Sequence, residues 1–356
     1  MTESPQGVDL ERLRPWFAAN VAGATGSPLQ ARLISGGRSN LTYLISDGPI
    51  SDARLSEGGH EWVLRRPPLG HVLPTAHDMA REYKVIAGLA NTAVPVPRAL
   101  AFCDDLSVND APFYVMNNVE GQILRTPDQI RELSAGDARR CSEELVDVLV
   151  QIHAVDYEAA GLSDFGRPDG YLERQVRRWG EQWERSKTRD LASVDEIARR
   201  LRAALPPSPP PTIVHGDYRL DNVMLANDDP GRIVAVLDWE MATLGDPLSD
   251  LGLFLVYWAR DEEQLGAVVD SGAGFLTRDA IVDRYAQKSG YDVSRLDFYE
   301  VLAAYKLAII LEGIHARFLM GMTLGEGFEH VGGMVEAMID RALAQASASS
   351  IAALRG

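Results

Sequence analysis

A short stretch in the second half of the chain combines apolar runs with polar residues at fixed spacing. Asp217 and Asn222 stand five residues apart between the apolar segments 213–214 and 223–225, and Asp238 ends the next apolar run. The pattern predicts strand, polar loop, strand, tight turn and strand. Two carboxylates and an amide suit a cation that prefers oxygen ligands, together with a general base. That chemistry is typical of phosphoryl transfer from a nucleoside triphosphate to a hydroxyl.

Composition narrows the class of protein. The chain has 356 residues, a hydrophobic content of 46% and a formal net charge of −16. These values are typical of a soluble globular protein, and the acidic balance argues against a nucleic-acid-binding surface. We find no membrane-length apolar run and no signal-peptide core, so we expect no membrane association and a cytoplasmic location. Cys103 and Cys141 are expected to be buried thiols in a reducing compartment.

The hydrophobic periodicity changes along the chain. Period-two alternation predicts strands at 31–35, 41–45, 61–65, 100–103 and 113–116. Helical spacing predicts helices at 9–24, 77–91, 137–155, 172–186, 193–205, 251–260, 278–288, 295–320 and 327–346. We therefore expect an α+β protein with a small antiparallel-sheet lobe at 1–117 and a larger, mainly helical lobe at 118–356.

Several motifs together resemble a known family. His215-Gly216-Asp217 with Asn222, followed by Asp238, resembles the aminoglycoside phosphotransferase/choline kinase superfamily. The segments 63–68, 80–83, 217–222 and 237–247 further resemble the kinase-like domain found beside or fused to acyl-CoA dehydrogenases. The likeness runs from about residue 30 to about residue 340. It implies a bilobal, protein-kinase-like fold with the nucleotide bound between the lobes.

The resemblance assigns roles to the residues of the catalytic stretch. Asp217 would be the base that orients the attacking hydroxyl, although an Asp in a turn can simply bind nearby backbone amides. Arg219 would contact the γ-phosphate, or else form a salt bridge with Asp221 or Asp238. Asn222 and Asp238 would bind magnesium. Glu240 would add an outer contact to the metal, or merely fix a turn where protein kinases have Gly.

Other positions match the nucleotide-binding parts of a kinase. Arg65 stands where protein kinases have Lys, and Glu82 matches its ion-pair partner on the following helix. The loop at 35–40 would cover the phosphates, but it lacks the full glycine pattern and is equally consistent with a hairpin turn. The remaining candidate nucleotide contacts are in that loop and in the hinge at 115–119: Arg38, Ser39, Asn40, Met116, Asn117 and Val119.

Two further expectations concern the larger lobe. Asp250 would accept backbone amides from the catalytic loop and hold it in place, while Asp246 would either do the same or cap a helix. The acceptor pocket would be lined by a few members of a group of large or charged residues on helices. The candidates are Tyr171, Arg174, Arg178, Trp179, Trp183, Tyr257, Trp258, Glu312, His315 and Arg317.

The sequence thus predicts an ATP- and Mg²⁺-dependent phosphotransferase that acts on the hydroxyl of a small molecule. The resemblance favours a hydroxyacyl-CoA or a related hydroxy acid as the acceptor. Two alternatives remain open. One is a nucleotide-binding pseudokinase that regulates an acyl-CoA dehydrogenase partner, and the other is an aminoglycoside phosphotransferase.

Overall fold

The computed structural model describes residues 5–36, 40–48, 50, 59–69, 78–258, 273–322 and 327–356. The chain divides into two compact units. The smaller unit contains Met1–Gln122, Tyr157–Phe165 and Val234–Ala242, and the larger contains Ile123–Asp156, Gly166–Ile233 and Thr243–Gly356. Within the described residues, no helix has both the length and the apolar character needed to cross a membrane.

A five-stranded sheet forms the centre of the smaller unit. Its strands are β1 (Gln30–Gly36), β2 (Leu41–Ser46), β3 (Glu61–Arg66), β4 (Ala99–Cys103) and β5 (Phe113–Asn117). The spatial order is β1-β2-β3-β5-β4 and neighbouring strands are antiparallel. All five strands were predicted from the sequence. The register places Arg65 on β3 opposite Thr42 on β2 and Tyr114 on β5, which fixes its position near the end of a central strand.

The helices of this unit are α1 (Leu10–Asn20), α2 (Met79–Leu89) and α3 (Leu106–Asn109). The Asp78 side chain caps α2 by accepting the Arg81 N–H at 3.0 Å, a typical way to satisfy an orphan donor at a helix start. On α1, Phe17 is buried and its ring meets Trp62 of the sheet edge-on at 5.7 Å. Helix α1 therefore closes an apolar core on the sheet.

The larger unit is mainly helical. Its helices are α4 (Pro127–Arg131), α5 (Ala135–His153), α6 (Tyr171–Ser186), α7 (Ala192–Ala203), α8 (Leu248–Trp258), α9 (Arg278–Ser289), α10 (Leu296–Leu319), α11 (Val331–Ala348) and α12 (Ala352–Arg355). Helix α10 is buried along most of its length and packs against α6, α8 and α11. The longer helices match the predicted ones within a few residues, except that residues 77 and 259–260 of the predicted helices lie outside the described residues. The short helices α3, α4 and α12 were missed because one turn carries little periodicity.

Four short strands occur along residues 212–245 of the sequence: β6 (Thr212–Val214), β7 (Val223–Leu225), β8 (Ile233–Val236) and β9 (Thr243–Gly245). Strands β6 and β9 are antiparallel neighbours. The turn between β7 and β8 is closed by the Ala226 N–H, which donates to the Arg232 carbonyl at 2.9 Å. The predicted strand–loop–strand–turn–strand order is confirmed, and β9 is an additional strand that the sequence did not indicate.

The close approach of α8 to α10 depends on one glycine. A Cβ atom placed on Gly252 would lie 2.7 Å from the carbonyl carbon of Tyr299, which is far inside van der Waals contact. By contrast, a Cβ atom placed on Gly313 of α10 would meet no atom within 4 Å. Both glycines are helical, so both lose the same intrinsic helix propensity relative to alanine.

We expect Gly252→Ala to lower the free energy of unfolding by about 1–3 kcal/mol, because overpacking the α8–α10 contact outweighs the gain in helix propensity. The matched control Gly313→Ala should raise it by about 0.5–1 kcal/mol. Chemical denaturation of both variants measures the two changes. Changes of the same sign and size would show that the helix contact does not require glycine.

Candidate active site

The loop after β6 holds Asp217 in a fixed orientation. Gly216 adopts a φ of +83°, a conformation that L side chains rarely adopt, and this lets the chain turn sharply before Asp217. One carboxylate oxygen of Asp217 accepts the Tyr257 hydroxyl at 2.9 Å. The other accepts the Asn222 side-chain amide at 3.0 Å. With a side chain 30% exposed, Asp217 is oriented yet open to solvent.

Asn222 ends a 3₁₀ turn, Leu220–Asn222, and faces back to the loop. Its Nδ2 donates to the Asp217 carbonyl at 2.8 Å as well as to the Asp217 carboxylate. Both contacts use the amide nitrogen, which leaves the amide oxygen Oδ1 as the atom that can ligate a cation. An amide oxygen is a ligand that Mg²⁺ accepts, so the chemistry of this donor fits the predicted metal.

Asp250 holds the backbone of the catalytic loop. It is 1% exposed and accepts the His215 N–H at 2.6 Å and the Gly216 N–H at 2.8 Å. His153 Nε2 lies 3.3 Å from the same carboxylate, and its Nδ1 contacts the Tyr285 hydroxyl at 2.7 Å. Burial raises the pKa of Asp250, but the hydrogen bond and charge of His153 oppose it, and the net pKa lies below its usual value. The predicted bracing role of Asp250 is confirmed.

Asp246 has a separate structural role. It accepts the N–H of Leu248, the first residue of α8, at 3.0 Å, and the Tyr299 hydroxyl at 2.8 Å. Of the two alternatives for Asp246, these contacts favour local support of the start of α8. Asp246 thus supports the start of α8, whereas Asp250 supports the backbone of the catalytic loop.

Arg219 forms the salt bridge that was its alternative prediction. Its guanidinium lies 2.8 Å from Asp221 and 3.7 Å from Asp217, and it stacks 4.8 Å from the centre of the Tyr257 ring. Arg219 is therefore held beside the proposed base, where it also restricts Tyr257. Its contact with a γ-phosphate stays a prediction.

In the smaller unit, Arg65 links two carboxylates from distant parts of the chain. Its Nε lies 3.1 Å from Glu82 on α2, and its Nη2 lies 2.5 Å from Oδ1 of Asp238. Burial lowers the pKa of Arg65, but the charges of Glu82 and Asp238, with the neighbouring Tyr114, raise it above its ordinary value. The predicted Arg65–Glu82 pair is present, and the sequence did not predict that Asp238 would join it.

Asp238 and Glu240 stand at a strained turn in the same unit. Asp238 has a φ of +64°, which is uncommon for a residue other than glycine. Its carboxylate is 30% exposed. Glu240 accepts the side-chain amide of Asn40 at 3.0 Å, and Asn40 is buried. These are oxygen donors of the kind Mg²⁺ uses. Arg38 and Ser39, the other predicted loop contacts, lie outside the described residues.

The predicted hinge residues follow the last central strand. Met116 is buried on β5 opposite Val63, and Val119 is half-buried beyond the strand. Asn117 donates its N–H to the Arg98 carbonyl at 3.1 Å and accepts the Arg98 N–H on its side chain at 2.5 Å. Because these Asn117 groups are used inside the sheet, contacts of the hinge with adenine stay a prediction.

A small pocket, partly open to solvent, lies in the larger unit next to Gly216 of the catalytic loop. Its lining includes Tyr171 and Trp179, two of the predicted acceptor-pocket residues, together with Lys306 of α10. The other predicted residues are absent from this lining. Glu312, for example, is buried and accepts the backbone N–H of Thr188 at 2.6 Å, which is a structural contact.

Three residues of this region were missed or given no role in the sequence analysis. Tyr257 was named only as a pocket candidate, yet it binds the Asp217 carboxylate. His153 carries no local signal, because a histidine at the end of an amphipathic helix is common. Lys306 could have been found, since it is a lone cation inside the apolar stretch 303–309 of a buried helix, and buried lysines are rare.

Comparison with known proteins adds to this geometry. A family model described as "Phosphotransferase enzyme family" matches residues 30–296, about three quarters of the chain. The chain belongs to the phosphotransferase enzyme family. Its fold is the bilobal α+β fold of that family, as predicted.

Individual relatives of this phosphotransferase-family chain agree with that assignment. Acyl-CoA dehydrogenase family member 11 of Gallus gallus is 33% identical over 342 residues, which are 93% of this chain and 42% of the relative. A solved structure of a candidate aminoglycoside phosphotransferase from Ralstonia eutropha is 30% identical with a TM-score of 0.81, covering 95% of this chain and 98% of that one. Choline kinase of Cryptosporidium parvum has a TM-score of 0.67 at 12% identity, covering 98% and 99% of the two chains, and so shares the fold.

The chain spans less than half the length of the curated relatives that it matches. The resemblance to the kinase-like domain associated with acyl-CoA dehydrogenases is confirmed by these relatives. The region of likeness is the kinase-like part, as the family match at residues 30–296 indicates.

The bracing of the catalytic loop predicts a pH-dependent loss of stability. Asp250→Asn should lower the free energy of unfolding by about 3–5 kcal/mol at pH 7, because an amide cannot offer two acceptors to the N–H groups of His215 and Gly216. Since the folded-state pKa of Asp250 is depressed, its contribution is present above the unfolded-state pKa and is lost as the pH falls through the folded-state pKa. The difference in the free energy of unfolding between Asp250→Asn and the parent protein should therefore shrink below about pH 4.

Denaturation midpoints at several pH values check this expectation. Asp228→Asn is the matched control, since Asp228 pairs with Arg232 at the surface and its side chain is 82% exposed. The control should change stability by less than about 0.5 kcal/mol at every pH. An Asp250→Asn variant as stable as the control would contradict the bracing role.

Proposed function

We propose that this chain transfers the γ-phosphoryl group of ATP to the hydroxyl of a small-molecule acceptor, with Mg²⁺ as the metal. The observation that carries the proposal is the oriented carboxylate of Asp217, fixed by Tyr257 at 2.9 Å and by Asn222 at 3.0 Å. A carboxylate held in this way is suited to orient a hydroxyl and to accept its proton. Membership of the phosphotransferase family supports the reaction class.

The chemical step then follows the general course of phosphoryl transfer. The acceptor oxygen forms a bond to the γ-phosphorus, and the bond from that phosphorus to the bridging oxygen of ADP breaks. The acceptor proton passes to Asp217. Tyr257 and Asn222 keep the carboxylate in place, and Asp250 keeps the loop backbone from shifting through its bonds to His215 and Gly216. Positioning of this kind accounts for a large part of catalysis in this reaction class.

Residues for the metal and the nucleotide are assigned from the family resemblance. We assign Asn222 and Asp238 as magnesium ligands, with Glu240 as an outer contact, because all three offer oxygen donors. Bound magnesium would neutralise charge on the phosphates. Arg65 is assigned to the phosphates, and Glu82 holds its guanidinium in place. The further assignments are Arg219 for the γ-phosphate and Arg38, Ser39, Asn40, Met116, Asn117 and Val119 for the remaining nucleotide contacts.

The proposed acceptor is a hydroxyacyl-CoA or a related hydroxy acid. The support is the name of the curated relatives, which are acyl-CoA dehydrogenase family members that this chain matches over only part of their length. An acyl-CoA dehydrogenase is accordingly the proposed protein partner. A transferase associated with such an enzyme would act on hydroxylated acyl compounds. Aminoglycosides remain the competing acceptor class, since a structural relative at 30% identity is assigned to them.

A second function is a nucleotide-binding pseudokinase that regulates a dehydrogenase partner. The specific observation that favours it is the Arg65 position, where protein kinases have Lys and where this guanidinium already pairs with Glu82 and Asp238. A protein of this type would bind nucleotide without turnover. The presence of an oriented Asp217 and of Asn222 favours the enzyme.

The proposed base gives a direct test. Asp217→Asn should lower kcat by about 10²–10⁴-fold while nucleotide affinity stays unchanged, because the amide cannot take the acceptor proton. The measurement is ADP release on a panel of hydroxyacyl-CoAs, hydroxy acids, amino-alcohols and aminoglycosides, with nucleotide binding followed separately. Asp228→Asn is the matched surface control. A parent protein that binds ATP but phosphorylates no member of the panel would favour the pseudokinase.

The role of Arg65 is tested by two substitutions. Arg65→Met should raise the KM for MgATP by about ten- to one-hundredfold, because a charge-assisted contact with phosphate is lost. Arg65→Lys should lose less affinity than Arg65→Met, since a cation remains beside Glu82 but cannot serve both carboxylates as the guanidinium does. Arg32→Met, which removes an exposed arginine from β1 of the same sheet, is the control. A KM for MgATP that is unchanged in Arg65→Met would remove Arg65 from the nucleotide site.

A further inference from the structure

One wall of the pocket beside the catalytic loop carries a cation that the proposed reaction does not use. Lys306 lines this pocket together with Trp179 and Gly216. Its Nζ donates to the Gly216 carbonyl at 2.6 Å and lies 5.7 Å from the centre of the Trp179 ring. Gly216 directly precedes Asp217 in the chain, so the ammonium group stands one residue away from the proposed base.

The carboxylates near Lys306 are already engaged. Asp250 accepts two backbone N–H groups and contacts His153, and Asp217 accepts the Tyr257 hydroxyl and the Asn222 amide. An ammonium group has three N–H donors, and within the described part of the chain one of them has an identified acceptor, the Gly216 carbonyl. Lys306 therefore has donor capacity toward the pocket.

The ammonium of Lys306 is the cationic group in this lining that can attract an anionic ligand. Burial lowers the pKa of Lys306, and the charges of Asp217 and Asp250 oppose that effect. A partly desolvated ammonium gains more from an incoming carboxylate than a solvated one does, because the local dielectric is low. Leu253 and Leu302 supply the apolar part of the lining, and Asp250, whose carboxylate accepts the N–H groups of His215 and Gly216, also belongs to it. A short carbon chain that ends in a carboxylate matches both features.

We propose that Lys306 is a specificity-determining residue that binds the carboxylate of a hydroxy-acid acceptor in this pocket. An acceptor with an ammonium at the matching position is rejected, because it would bring a second cation beside Lys306. The inference rests on the proposed function, and within it selects a free hydroxy acid over amine-bearing acceptors such as amino-alcohols and aminoglycosides. Lys306 would select the acceptor, while Asp217 would act on its hydroxyl.

Three acceptors that differ in one group test the proposal. They are 3-hydroxybutyrate, butane-1,3-diol and 4-aminobutan-2-ol, which share a four-carbon chain and a hydroxyl but end in an anion, a neutral group and a cation. Wild-type protein should prefer them in that order. Lys306→Met should raise the KM for 3-hydroxybutyrate by about ten- to one-hundredfold, leave the KM for ATP unchanged and abolish the order.

Further variants separate recognition from loop support. Lys306→Arg should keep the preference for the anion. The glutamine of Lys306→Gln can still donate to the Gly216 carbonyl but has no charge, so this variant should lose the preference for the anion. If Lys306→Met does not fold, the acceptor preference of Lys306→Gln tests the proposal instead. Lys288→Met is the control, since Lys288 pairs with Asp147 elsewhere on this unit. An equal fall in kcat for all three acceptors, with their order kept, would mean that Lys306 only supports the loop and would overturn the proposal.

Binding measured without nucleotide distinguishes this inference from the proposed function. Calorimetric titration of 3-hydroxybutyrate should show binding to the wild-type protein that Lys306→Gln weakens by about tenfold or more. If no acceptor is phosphorylated but this Lys306-dependent binding is present, the transferase proposal fails and the assignment of Lys306 stands. If 3-hydroxybutyrate binds both proteins equally, or binds neither, the assignment of Lys306 is wrong.

Discussion

The catalytic loop depends on one buried carboxylate, Asp250. Two consecutive backbone N–H groups, those of His215 and Gly216, donate to it at 2.6 and 2.8 Å, and His153 approaches from the other side. Buried N–H groups without acceptors would cost free energy, and a buried carboxylate without donors would cost more. Each group therefore requires the other, and the orientation of Asp217 follows from the backbone they fix.

The same principle organises the smaller unit around Arg65. A cation on a central strand is stabilised by Glu82 from a helix and by Asp238 from a turn more than 170 residues later in the chain. Arginine suits this position because its planar guanidinium can serve two carboxylates at once, which a lysine ammonium does with less geometric control. The departure from the protein-kinase lysine thus leaves the ion pair with Glu82 in place.

The charged groups of the larger unit differ in whether they lie within the buried core or beside a pocket. Asp250, His153 and Tyr285 form a buried chain of hydrogen-bond contacts. Lys306, by contrast, faces a pocket and uses a backbone carbonyl as its acceptor. A buried polar group whose hydrogen bonds are all made within the protein stabilises the fold. A polar group at a cavity that still has N–H donors without acceptors can bind a ligand.

The sequence by itself determined the five-strand sheet, the long helices, the family and the strand–loop–strand order around Asp217, Asn222 and Asp238. These were accessible because strand alternation, helical periodicity and the spacing of Asp217, Asn222 and Asp238 are local or motif properties. The tertiary structure alone decided that Asp238 pairs with Arg65, that Tyr257 holds Asp217 and that Lys306 lines a pocket. Each of these contacts joins residues that are far apart in sequence, and periodicity carries no information about which distant side chains meet.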